Sequence, residues 1–386
     1  MVKYPSDWSC RRLVDCITLV PGLTYTPEKV KKYGTLVLRS SNIQNQRLAL
    51  DDNVYVDMNV PPEKMIQEGD ILVCVRNGSA SLIGKSCILP WMEHTTFGAF
   101  MAVLRGDKTG FLSFLFESRM VQNQLKNRSS ATINQITKKD FEDVKIVVPN
   151  SEAEQIDIAK TLRTFQKYED DLRRLIEKKK GIRDGALEEL MSGKKRLDGF
   201  SGKRRKAALG QLYTIIMGQS PSASSYNIQR DGIPLVQGMA DMKHGVTCPQ
   251  RYTSDPTKTC EEGAVILSVR APVGNVGRTN QEVCLGRGVC AIVGVPQDFV
   301  FYLMKFHQET WKKLEQGSTF TAVGGKEVRN FEVEIPDDIR EQEAIAQVLS
   351  SMDAEIAALE AEREKVCGIR AGAMEDLLTG RIRLKD

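Results

Sequence analysis

Three stretches of this sequence have residue types and spacings that invite a chemical reading. GSASLIGKS (78–86) has the outline of a loop that cradles phosphates with backbone N–H groups and a lysine. Its glycine spacing is one residue too long, and Ser79 stands where the first glycine belongs. VGNVGRT, in the second half of the chain, offers Arg278 in the lysine's place only after a one-residue slip. LGRGVCA, from Leu285, imitates a dinucleotide fingerprint but leads into the strand-like IVGV. A pyrophosphate needs a helix N-terminus at that point, so the mechanism is missing. Strand, turn and strand is the expectation for GSASLIGKS. His94, His244 and His307 have no mutual spacing suited to a metal or a triad and are expected on the surface or in loops. The 9 cysteines form no CxxC pair, which favours reduced thiols and disfavours structural zinc. No catalytic residue, metal ligand or cofactor is assigned, and the chain reads as a recognition protein.

Polar residues that could meet base edges gather in two β-rich regions. Arg39, Ser41 and Asn42 follow one strand-like run, while Gln237 and Lys243, with Met239, Asp241 and His244, occupy the corresponding stretch of the second half. Asn77 and Ser79 follow Arg76, Gln219 and Ser220 lie in GQSPS, and Asn275 and Arg278 lie in VGNVGRT. Arg and Lys suit guanine, Asn and Gln suit adenine, and Asp or Glu can accept from cytosine in the major groove. The alternative for each is solvated surface. Arg76 and Arg270 close the same strand in both halves before a turn bearing Gly or Pro. They are read either as phosphate contacts, which position a protein without reading sequence, or as salt-bridged structural arginines.

The elements that must hold these residues are duplicated. Residues 149–197 fall on 336–384 without a gap, at a constant offset of 187, with 19 identities in 49 pairs. Upstream, EGDILVCVR (68–76) matches EGAVILSVR (262–270). The tails read as long helices of some 40 residues, about 60 Å at ~1.5 Å per residue. In the second, Leu349, Met352, Ile356 and Leu359 step by three and four as a heptad seam. Leu162, Phe165, Leu172 and Ile176 form the rougher first seam, with Glu169 and Lys179 on seam positions. Acids follow a Pro at each helix start, and Gly193 or Gly380 with basic residues marks each end, as the helix dipole favours. One apolar stripe cannot stand alone, so the two helices are expected to pair. Before each tail lie short β-rich runs such as TLVLRS, DILVCV, AFMAVL and AVILSV, and one amphipathic helix, around 111–125 and 299–314.

The expected order is a β-rich domain at 1–148, a helix at 149–193, a basic flexible linker at 194–206, a second β-rich domain at 207–335 and a helix at 336–380. Hydrophobic residues make up 41% and charged residues 27% of the 386, which excludes disordered and fibrous classes. No apolar run is long enough for a membrane span and no signal pattern opens the chain, so a cytoplasmic protein is expected. The net charge of +4 neither demands nor excludes a nucleic-acid partner.

Two dissimilar β domains, each followed by a copy of one helical tail, resemble the specificity subunit of a type I restriction-modification system. The resemblance spans the whole chain. It rests on LVLRSSNI, EGDILVCVRNGS, IPLVQG, EGAVILSVRAPVGNVG and the two EQ-x-x-IA-x-x-L tails at Glu154-Gln155 and Glu341-Gln342. It implies an α+β fold with two target-recognition domains and an antiparallel coiled-coil spacer made by the tails. It implies double-stranded DNA as ligand, read as a bipartite target with one half-site per domain and about one helical turn, ~34 Å, between half-site centres. It also implies partners: methyltransferase subunits, two in number, which supply S-adenosylmethionine chemistry, and restriction or translocase subunits beyond them. The GxTPS turn common in such domains is GQSPS (218–222) in the second copy and only loosely GLTYTP (22–27) in the first. The competing readings are a coiled-coil scaffold, which would need no polar, divergent β domains, and a methyltransferase, whose NPPY-like motif is missing.

Overall fold

The computed structural model describes residues 4–128, 135–317 and 322–384. They form two compact units that do not follow chain order: 1–172 with 362–386, and 173–361. Each unit holds one β domain, the near half of one long helix and the far half of the other.

In the first unit, β-branched and apolar runs build two sheets. One has the order Thr95–Phe97, Thr35–Leu38, Val54–Val56, Val30–Lys31, its first pair parallel with Thr95 opposite Leu36. The other is antiparallel, with the order Thr18–Pro21, Met101–Arg105, Ile71–Cys74, Ser86–Ile88. Period-2 alternation sorts the central strands between two cores. Leu72, Cys74, Met101 and Val103 face the first sheet, whereas Ile71, Val73 and Leu104 face helices Phe111–Glu117 and Arg119–Arg128.

The second unit repeats the plan. Its sheets have the orders Thr214–Met217, Val289–Val293, Val265–Ser268, Val276–Arg278, Val246–Thr247, Met242–Lys243, and Tyr226–Asn227, Arg251–Thr253, Ile233–Val236, Val283–Leu285, Thr259–Cys260. Ile266 and Ala291 face the second sheet; Val265, Leu267 and Ile292 face the helices.

Three expectations are corrected here. The single amphipathic helix of each domain is two helices. In the first, Ser118 turns extended and its hydroxyl accepts from the Val121 N–H, starting Arg119–Arg128 as a fresh helix. In the second, the break between Gln297–Phe306 and Gln308–Gly317 falls at His307, which packs edge-on against Phe306 and Phe331 instead of lying on the surface. Burial pushes its pKa down to about 4. The stretch 194–206, expected as a flexible linker, enters the strand Arg204–Ala208, which pairs antiparallel with Glu332–Pro336. Four of its seven cations have partners: Lys194 pairs with Glu188, Arg196 with Glu341, Arg204 with Glu334 and Arg205 with Asp337. A run of like charges reads as solvated linker only when the acids that answer it are distant in sequence.

The long helices span Glu152–Ser192 and Ile339–Leu377. Inside the second unit Lys179 meets Glu355 at 2.6 Å and Arg183 meets Asp353, so numbers rise on one helix as they fall on the other. Inside the first unit Glu169 meets Arg370 at 3.5 Å and Glu154 meets Arg383 at 2.5 Å, again antiparallel. The polar seam positions Glu169 and Lys179 are therefore ion pairs rather than flaws. Leu162, Leu172, Ile176, Leu349 and Ile356 are buried, and Phe165, Met352 and Leu359 half-buried. Leu162 and Leu349 also enter the cores of the β domains.

Residues shared by the two tails lock each unit shut. The Gln155 side chain donates to the Pro149 carbonyl at 2.9 Å, and Gln342 does the same to Pro336 at 2.7 Å. Glu154 receives a bidentate grip from Arg383, and Glu341 receives one from Arg196. Each acid opens one helix, and each arginine lies just beyond the end of the other. Gly193 and Gly380 make those ends possible, with φ of 76° and 66°.

Candidate nucleic-acid interface

In each domain the two parallel strands end side by side, and the loops leaving them converge. In the first domain, Thr35–Leu38 runs into residues 39–42 and Thr95–Phe97 into residues 98–100. In the second, Ile233–Val236 runs into 237–241 and Val283–Leu285 into 286–288. A third segment crosses close by at Gly22 and at Gly218. An ideal Cβ there would stand 2.0 Å from the Gly98 carbonyl oxygen and 2.1 Å from that of Gly286, so only glycine fits either place. The loose GLTYTP of the first copy thus occupies the position of GQSPS in the second.

Most of the residues expected to touch DNA meet in these clusters. Arg39 pairs with Asp52 at 2.8 Å, Asn77 donates to the Ser40 hydroxyl at 3.1 Å and accepts from the Ser79 N–H at 3.0 Å, and Ser41 is half-buried beside them. Arg76 is exposed, its guanidinium 5.4 Å from the centre of the Phe100 ring. In the second domain Ser220 accepts from the Arg287 N–H at 3.2 Å, Gln237 donates to the Tyr226 hydroxyl at 3.3 Å, and Gln219 and Arg270 are exposed. Asn275 donates to the Pro272 carbonyl at 3.0 Å and caps the turn after Arg270.

Three expected residues are placed otherwise. Asn42 is fully buried, donating to the Ala49 and Asp52 carbonyls and accepting from the Arg39 N–H, and it shapes the loop from inside. Arg278 lies at the far end of the strand pair from Arg270, opposite Val265; it pairs with Asp298 and stacks 3.9 Å over Phe301. Lys243 is exposed on a tight hairpin whose turn residues His244 and Gly245 have φ of 50° and 77°, also apart from the cluster.

Two residues in the clusters escaped the sequence reading. Phe100 is 57% exposed although it sits in the apolar run AFMAVL; the strand begins only at Met101. Arg287 is exposed between two glycines. Burial pushes the thiols of Cys87, Cys260 and Cys290 up to about 12. The turn expected for 78–86 joins the strands Ile71–Cys74 and Ser86–Ile88, and LGRGVCA leads into the strand Val289–Val293. Among the described residues no helix is long and apolar enough to cross a membrane.

A family model for the type I restriction modification DNA specificity domain matches residues 5–180 and 205–366. The MjaX specificity subunit of Methanocaldococcus jannaschii, named for a type I restriction enzyme, is 30% identical over 414 residues, covering 99% of this chain and 95% of its own. Two solved structures share the fold. The S subunit of a type I restriction-modification system from M. genitalium matches with a TM-score of 0.67 at 15% identity, over 96% of both chains. A chain from a structure concerning complex assembly and conformational transition of the type I R-M system matches with 0.60 at 22% identity, over 98% of this chain and 100% of that one. With two copies of the matching domain, each carrying its own loop cluster on the same frame of helices, the chain belongs to the specificity subunits of type I restriction-modification systems.

Proposed function

We propose that the chain reads a bipartite double-stranded DNA target, one half-site per domain, and presents that target to methyltransferase subunits docked on its long helices. The observation that carries this reading is the pair of loop clusters: one backbone frame, fixed by Gly22 and Gly218, bearing unlike side chains. A frame that is kept while its polar residues differ suits a reader of two different half-sites. Arg39, Ser41, Arg76, Asn77 and Ser79 would face one half-site and Gln219, Ser220, Gln237, Arg270 and Asn275 the other, with Lys243 as an outlying phosphate contact. Chemistry would come from the methyltransferases, and cleavage from restriction subunits.

The test is a domain exchange that respects the units. Replacing residues 1–172 together with 362–386 by those of a relative should change one half of the methylated sequence and leave the other half and the gap unaltered. Each lost base contact is worth about 1–3 kcal/mol of discrimination, enough to read in a methylome. A swap that scrambles both halves would sink the modular reading.

A further inference from the structure

We propose that Phe100 is a specificity-determining residue of the first domain: its exposed ring, steadied by Arg76, packs against the 5-methyl group of one thymine in the major groove. The inference rests on the reading of the loop clusters as DNA-facing and names one of their contacts.

Phe100 and Gly288 occupy the same place in the two domains. The Phe100 carbonyl accepts from the N–H groups of Val75 and Arg76 at 3.0 and 3.1 Å; the Gly288 carbonyl accepts from Val269 at 2.9 Å. The next residues, Met101 and Val289, accept from Gly22 and Gly218. Yet the side chains cannot be exchanged. A Cβ at Gly288 would stand 2.1 Å from the Gln237 carbonyl oxygen, so the second domain has no room for a ring there and shows the exposed Arg287 one residue earlier. The first domain has Ala99 at that earlier place and shows the ring instead.

The surroundings narrow what the ring can touch. Arg76 lies over the ring itself, which suits a polyanion nearby. Backbone hydrogen bonds on both strands hold Phe100 down against the sheet, so it offers a fixed apolar face rather than a free wedge to drive between base pairs. The major groove displays donors and acceptors almost everywhere; the thymine methyl is its one apolar group. An apolar face beside the Arg76 cation therefore selects a thymine.

The experiment uses the chain assembled with its methyltransferase subunits and duplexes carrying its mapped target, in which each thymine of the first half-site is replaced in turn by deoxyuridine. One position should lose about fivefold in affinity, the low end of a single base contact. Phe100→Ala should bind the thymine and deoxyuridine duplexes alike, and Phe100→Leu should restore part of the difference. A specific complex indifferent to every replacement, or a penalty that persists in Phe100→Ala, overturns the inference. If Phe100→Ala instead weakens assembly with the methyltransferase and leaves the penalty in place, protein covers the ring and the inference is wrong. A complex that prefers no duplex overturns the DNA reading as well.

Discussion

Arg183 and Arg370 stand at the same point of the repeat, yet they find different partners. Arg370 donates to Glu117 at 3.0 Å, a carboxylate only 3% exposed on the helix of the first β domain. Arg183 pairs with Asp353 on the neighbouring long helix, and Asp353 also accepts from the Tyr302 hydroxyl at 2.8 Å. The reason lies in the domains: FLSFLFE (111–117) corresponds to FVFYLMK (299–305), which puts Lys305 where the first domain has Glu117. Two cations cannot pair, so the second unit draws its acid from the tail, at Asp353, where the first copy has Gln166. The shared tail decides where the arginine reaches, and the divergent domain decides what answers it. A tail can accept a foreign domain only if the charge at this one position is opposite or compensated.

The sharpest way to break the comparison is to remove the arginines. Above pH 7, where Glu117 is ionised, Arg370→Ala strands a buried carboxylate and should cost the first unit about 3–5 kcal/mol. Arg183→Ala leaves Asp353 partly in water and hydrogen-bonded to Tyr302, and should cost about 1 kcal/mol. Hydrogen exchange read separately for each unit measures both losses. Equal losses would show that burial of the acid does not set the difference.

Acid should separate the units further. Burial pushes the Glu117 carboxyl up to about 7, against the pull of Arg370 and Arg47. A folded pKa above the unfolded 4.5 means that the fold holds a proton the unfolded chain has released, so this stability is full below about 4.5 and is lost as pH rises through 7. His307 works in the opposite sense: held near 4 against an ordinary 6.5, it stabilises the second unit above 6.5 and loses that contribution as pH falls towards 4. From pH 7 to pH 5 the first unit should therefore gain protection and the second lose it, once intrinsic exchange is corrected. Glu117→Gln and His307→Phe should each flatten one of the two trends; a trend that survives its own substitution belongs to another group.

The smallest expected contrast lies at the locks. Glu341 is 1% exposed and Glu154 16%. Glu341→Gln should cost on the order of 2 kcal/mol and Glu154→Gln about half that, by denaturant unfolding. Reversal of the order would mean that the more exposed Arg383, which also pairs with Asp7, grips harder than its geometry suggests.

Much of this was legible in the sequence because identity at a fixed offset needs no geometry. The repeat, the pairing of the tails and the divergence of the domains all follow from it. The antiparallel sense could be expected from a resemblance, but its consequence could not: that Glu154 closes on Arg383 and Glu341 on Arg196 links residues far apart through an arrangement no local pattern encodes. Residues 204–206 read as linker because their partner strand, Glu332–Pro336, lies more than a hundred residues away. Asn42 read as a base contact because hydrogen-bonding type says nothing of direction, and here it points inward. Phe100 read as part of a strand because it sits in the apolar run AFMAVL; the strand itself starts one residue later, at Met101.

The division of the units has a consequence in time. Residues 173–361 are contiguous, so the second unit can close as soon as its own stretch leaves the ribosome, whereas the first needs 362–386 before it has its last helix and Arg383. At about 5–20 residues per second, the roughly 190 residues between 172 and 362 keep the earlier-made domain open for some 10–40 s while the later-made one is finished. Birth order and completion order are reversed, and a nascent chain that stops short of its final turn of helix has a whole second reader and an unclosed first.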